Sequence, residues 1–166
     1  GYTNALVAQH LGAGRPKRCP AAVTQAMIVA VAAVPLVLAC IPVGNWLFAA
    51  VGVADKQLHP QRSYFTILMF GSVLALLRSS ISSFFSGIGR TRIIMLSAVV
   101  AMAVNVFFNY VLIFGKLGFP QLGIKGAACG TIIGSFAGLL VVAGAYFSRY
   151  NRKMYDVLGG LRFDRD

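Results

Sequence analysis

The stretch IIMLSAVVAMAVNVFFNYVLIF, residues 93–114, is an unbroken apolar run in which NVFFNY, residues 105–110, sets Asn105 and Asn109 four positions apart. A helix crosses the hydrocarbon core of a bilayer with about 20 predominantly apolar residues, and this run supplies them. Two amides would then lie where the bilayer is driest. They serve there either as hydrogen-bonding glue between helices or as ligands for something that passes through. Residues four apart share one helix face, and extending the row backwards adds Ala101 and Ser97. The neighbours Val106, Phe107, Phe108 and Val111 are bulky. A small, polar row among them points to protein or a water-filled cavity rather than lipid.

Working outward, three more runs have the length of a membrane span. The four spans are expected at about 21–45, 64–88, 93–114 and 126–147. In the first, the regular part is expected to end near Pro42, leaving a kinked end that carries Trp46 at the interface. Composition agrees. Of 166 residues 58% are hydrophobic and 11% charged, against about 25% charged in soluble domains. Glutamate is absent, and Asp55, Asp156, Asp164 and Asp166 all lie outside the apolar runs. The fold class expected is all-α, a polytopic integral membrane helix bundle embedded in membrane lipids. A net charge of +11 could suggest nucleic acid, but the cations fall at the ends of apolar runs and form no basic face. No nucleic-acid partner is expected.

The connections RPKRCP, ADKQLHPQR, GRTR and KLGFPQLGIK are short, so neighbouring spans run antiparallel. One side then carries Arg15, Lys17, Arg18, Arg90, Arg92, Arg149, Arg152, Lys153, Arg162 and Arg165. The other carries Lys56, Arg62, Lys116 and Lys125. The excess of positive charge puts the first side, with loops 12–20, 89–92 and 148–166, in the cytoplasm. The opening GYTNALVAQHLGAG reads as the last turns of a helix whose beginning is missing, so a fragment is expected. Residues 1–150 read as part of a transmembrane lobe and 151–166 as a polar cytoplasmic segment.

The fourth run holds Gly126, Gly130, Gly134 and Gly138, a GxxxG series whose bare face lets another backbone approach closely. A second small row, Ala127, Thr131 and Ser135, runs beside it, and Thr131 could add a hydroxyl to a polar site. Arg78 lies inside the second run with no acidic residue in any span to pair it, and is expected to face a polar interior. Cys19, Cys40 and Cys129 lack metal-ligand spacing, and His10 and His59 stand alone at span ends. No catalytic motif appears, so an enzyme is not expected, nor any cofactor or metal centre beyond a possible Na⁺ at Asn105 and Asn109.

Three stretches, VAQHLGAGRPKR, FFSGIGRTRIIM and NVFFNYVLIFGKLGFPQLGIKGAACGTIIGS, together resemble the multidrug and toxic compound extrusion family. The resemblance implies a twelve-helix antiporter of two six-helix lobes, of which this chain would run from the end of helix two through helix six to the linker between lobes. It implies export of amphipathic, often cationic compounds across the cytoplasmic (inner) membrane, driven by Na⁺ or H⁺. It also implies a cation site where an aspartate on helix one meets helix-five positions matching Asn105 and Asn109, with a helix-six hydroxyl matching Thr131. Some members carry aspartate where this chain has Asn109, so that proton carrier is absent here. Helix one and the second lobe would then be partners within the same protein. Two alternatives stand beside this reading: a flippase of lipid-linked saccharides, and a non-transporting scaffold whose small-residue faces bind partner helices.

Overall fold

The computed structural model describes residues 2–51, 55–157 and 159, which are helical almost throughout, with no strand among them. Helix α1 (Tyr2–Gly12) leads through a 3₁₀ turn at Pro16–Arg18 into α2 (Cys19–Ala32) and α3 (Val34–Ala50). These are followed by α4 (Asp55–Gly87), α5 (Thr91–Phe114), α6 (Ile124–Tyr146) and the short α7 (Arg149–Tyr155). Four stretches are long and apolar enough to cross a membrane: Pro16–Ala50, Gln57–Gly87, Thr91–Phe114 and Ile124–Tyr146. Large apolar side chains such as Val99, Met102, Val106, Phe107 and Leu140 remain exposed on their outer faces. Those faces suit lipid, whose chains are as apolar as they are.

Two boundaries depart from expectation. The first span does not end near Pro42. It breaks at Ala33 and resumes as α3 through Ala50, with Pro42 inside the helix. The cause of the break is Pro35 at the start of α3, which has no N–H for the carbonyl four residues back. Pro42 has no N–H for the Leu38 carbonyl one turn back, yet α3 continues through it, with Pro42 itself exposed. Trp46 is exposed on this helix.

The second difference concerns ADKQLHPQR, expected as a connection, whose residues from Asp55 onward form the beginning of α4. Pro60 stands in the second turn, where its missing N–H removes a bond close to the helix start. Contacts with α3 hold the segment. Arg62 Nη2 donates to the Asn45 carbonyl at 3.0 Å, and the Phe48 and Phe65 rings meet edge to face at 5.6 Å.

The most extensive pairing is α5 with α6, followed by α4 with α6. The apolar core lies at one end, where Val7, Cys19, Val23, Phe84, Phe85, Val142 and Tyr146 are fully or almost fully buried. Tyr155 and Val157 belong to this core as well. The segment from residue 151, read from sequence as simply polar, therefore begins as a docked helix. Asn151 Nδ2 donates to the Ala145 carbonyl at 2.7 Å, satisfying an acceptor at the end of α6. Arg162, Arg165, the rest of the tail at 158 and 160–166, and the side chain of Lys56 lie outside the described residues.

Candidate functional site

The two rows read from the sequence are the two sides of one seam. Gly126, Gly130, Gly134 and Gly138 are all buried, and each faces a different part of α5 or α4. A Cβ at Gly126 would stand 2.7 Å from the Leu112 backbone, and one at Gly134 would stand 2.6 Å from the Ala101 carbonyl oxygen. At Gly130 it would overlap Asn109 Oδ1, and at Gly138 it would crowd Ala101 and the Arg78 guanidinium. The glycines are bare because backbone and amide groups of the neighbouring helices occupy the space of their side chains.

Along the seam, Asn105, Asn109 and Thr131 come together. Asn109 Nδ2 donates to Asn105 Oδ1 at 3.1 Å, and Asn105 Nδ2 donates across to Thr131 Oγ1 at 3.2 Å. The Thr131 hydroxyl in turn donates to the Ala127 carbonyl of its own helix at 3.0 Å. The three donations run in one sequence, along α5, across to α6 and back one turn along α6. At its head Asn109 Oδ1 is buried and accepts nothing. An amide oxygen in that state is a hard, neutral acceptor with unused lone pairs, able to take a donor or help coordinate a cation.

Arg78 belongs to a separate cluster nearer the buried core. Its Nε donates to Ser97 Oγ at 3.1 Å, and Ser97 Oγ donates to the Gly138 carbonyl at 2.8 Å, joining α4, α5 and α6 through one fully buried hydroxyl. Arg78 thus faces the interior of the bundle. Eight residues separate Ser97 from Asn105, about 12 Å along the helix, so the two clusters are distinct. Ser97 entered the sequence reading only as a small member of a row, and its role as the partner of Arg78 was missed. The available signal was that both lie on the two spans joined by GRTR, Arg78 about three turns before it and Ser97 less than two turns after it, within reach of a long arginine side chain. Replacing Ser97 with alanine is expected to cost about 1–3 kcal/mol, because it strips a partner from Arg78 Nε and another from the Gly138 carbonyl. Unfolding of the complete protein in detergent measures this, and an unchanged midpoint would remove Ser97 from any structural role.

The MatE family profile matches residues 3–111. A "Probable multidrug resistance protein NorM" of Geobacillus kaustophilus is 34% identical over 129 residues, 77% of this chain and 28% of that protein. The protein of the same name from Halalkalibacterium halodurans is 32% identical over 129 residues, with the same coverage. The chain thus spans about 28% of the length of these curated relatives. A solved structure described as the inward-facing conformation of a multidrug resistance MATE family transporter of the MOP superfamily superposes with a TM-score of 0.84. That match is 20% identical and covers 98% of this chain and 36% of that one, so it bears on the fold. With the profile spanning most of the chain and the same fold beneath it, this integral membrane protein belongs to the MatE family of multidrug and toxic compound extrusion transporters.

Proposed function

We propose that the chain forms part of the amino-terminal lobe of a cation-coupled antiporter. Its transport would export amphipathic, often cationic compounds across the cytoplasmic membrane. Loops 12–20, 89–92 and 148–166 face the cytoplasm in this reading, as the charge asymmetry requires. Asn105, Asn109 and Thr131 form the polar half of the coupling-ion site. The observation that carries this assignment is the buried, unpartnered Asn109 Oδ1 at the head of a hydrogen-bond chain that fixes its amide in place.

Neutral amides do not take up protons near neutral pH, so these residues do not carry H⁺ themselves. They supply oxygens beside a carboxylate contributed by helix one, and that carboxylate binds Na⁺ or a proton. An ion held between helix one and the α5–α6 seam favours whichever lobe conformation closes that gap, and its release favours the other.

The test uses the complete protein in proteoliposomes with an imposed Na⁺ or pH gradient. Asn109→Ala removes one oxygen from the ion and also the donor that orients Asn105. A hydrogen bond or ligand to a charged group contributes about 1.5–3 kcal/mol. Ion affinity is therefore expected to fall on the order of tenfold to a hundredfold. Substrate efflux driven by the gradient falls with it. Unchanged efflux together with unchanged ion dependence would sink the assignment.

A further inference from the structure

At the end of the bundle that holds the core, α7 presents three separate faces. Asn151 and Tyr155 point inward, only 2% and 4% exposed. Arg149, Arg152 and Lys153 are exposed on a second face. On the third, Tyr150 and Met154 are apolar yet 52% and 45% exposed, and Phe147, just before the helix, is 41% exposed. At about 100° per residue these sets occupy distinct sectors of one short helix. Arg90, from the turn between α4 and α5, stacks over the Tyr150 ring at 4.5 Å and fixes its orientation.

Among the described residues, basic side chains outnumber acidic ones at this end. Arg15, Lys17 and Arg18 are exposed around the 3₁₀ turn, which packs against α7. Asp156, the carboxylate described nearby, lines the same pocket as Arg149, Arg152 and Lys153 and offsets one of these three charges. Basic side chains beside exposed aromatic and thioether groups, immediately after a membrane span, form the pattern of a helix lying in the bilayer interface. The basic face matches anionic headgroups, and the apolar face is the part that a soluble anion would leave without a partner.

We infer that α7 is an interfacial helix. It binds the headgroup phosphates of an anionic phospholipid through Arg149, Arg152 and Lys153, and seats Tyr150 and Met154 at the boundary between headgroups and acyl chains. Because Tyr155 packs on Phe84 with ring centroids 5.1 Å apart, a bound lipid braces the core itself and not a loose tail.

The test follows thermal unfolding of the complete protein in phosphatidylcholine nanodiscs as phosphatidylglycerol replaces the neutral lipid. The wild-type midpoint is expected to rise with the anionic fraction. The variant R149Q/R152Q/K153Q, compared with its own midpoint in pure phosphatidylcholine, is expected to lose most of that rise. Its apparent lipid affinity falls by about a hundredfold, from a factor of about five per basic residue near the surface. Arg152→Gln alone gives a partial loss and keeps the comparison open if the triple variant folds poorly. Inorganic phosphate added to phosphatidylcholine discs is expected to give no rise. A wild-type protein indifferent to phosphatidylglycerol, a triple variant that keeps the full rise, or free phosphate that reproduces it would each overturn the inference.

Discussion

Phe84→Ala is expected to remove about 3–5 kcal/mol of stability, enough to consume much of the margin of a protein stable by about 5–15 kcal/mol. Phe84 is fully buried and meets three other rings edge to face, with centroids 5.3 Å away at Phe85, 5.0 Å at Tyr146 and 5.1 Å at Tyr155. Its loss opens a cavity where α1, α2, α4, α6, α7 and the residue Val157 just after it converge. The neighbours that line it are themselves interlocked rings and cannot collapse into the space cheaply. Phe70 on the same helix provides the contrast. It is 57% exposed on a lipid-suited face, so Phe70→Ala leaves no protein cavity and should cost far less. Denaturant or thermal unfolding of the complete protein in detergent measures both. Equal effects at the two positions would mean that the aromatic cluster is not a cooperative core.

Gly134→Val is expected to separate α5 from α6. The first carbon added at Gly134 would stand 2.6 Å from the Ala101 carbonyl oxygen, 2.8 Å from Asn105 Cβ and 3.2 Å from Asn105 Cα. Two of these neighbours are backbone atoms and cannot rotate away. The helices must part, and the bonds from Asn105 to Thr131 and from Ser97 to the Gly138 carbonyl stretch or break with them. Overpacking alone costs about 1–3 kcal/mol, and each lost buried hydrogen bond adds to it. The complete protein should show a sharply lowered yield of folded material in detergent. Gly144 lies on the same helix with nothing within 4 Å of an added Cβ. Gly144→Ala should be neutral or slightly stabilising, by up to about 1 kcal/mol, since alanine is the better helix former. Similar losses at Gly134 and Gly144 would show that α6 is sensitive to helix propensity and not to contact with α5.

Much of this architecture could be read from the sequence because it rests on two periodicities. Apolar runs of span length mark the four crossings, and the four-residue spacing of Ser97, Ala101, Asn105 and Asn109 marks a face. So does that of Gly126, Gly130, Gly134 and Gly138. Spacing within a helix does not say which face meets which, so the pairing of the polar row with the glycine row became visible only in three dimensions. The glue reading of the asparagines describes what they do to each other and to Thr131, while the acceptor left over on Asn109 depends on a rotamer that no pattern encodes. Pro42 marks the expected end of the regular part of the first span, whereas the helix runs through it to Ala50. ADKQLHPQR reads as a connection because it is polar, whereas its residues from Asp55 carry α4 beyond the apolar run. The docking of α7 was hidden for a different reason. Among the described residues from 149 onward, Asn151, Tyr155 and Val157 are the buried ones, in a stretch rich in Arg and Lys.

The glycine spacing has a consequence for how α5 and α6 choose their alignment. With a bare position at every fourth residue, α6 could slide one repeat along α5, about 6 Å, and still offer a groove to most of the same knobs. Apolar complementarity alone does not single out one docking among these. In one direction Asn105 would meet Ser135 in place of Thr131 and keep a hydroxyl; in the other it would meet only the methyl group of Ala127. The alignment is indexed by a few directional contacts: Ser97 on the Gly138 carbonyl, Asn105 on Thr131, and the Leu122 N–H on the Leu112 carbonyl at 2.9 Å. These bonds contribute a modest share of the energy, yet they decide which of several nearly equivalent notches the two helices occupy.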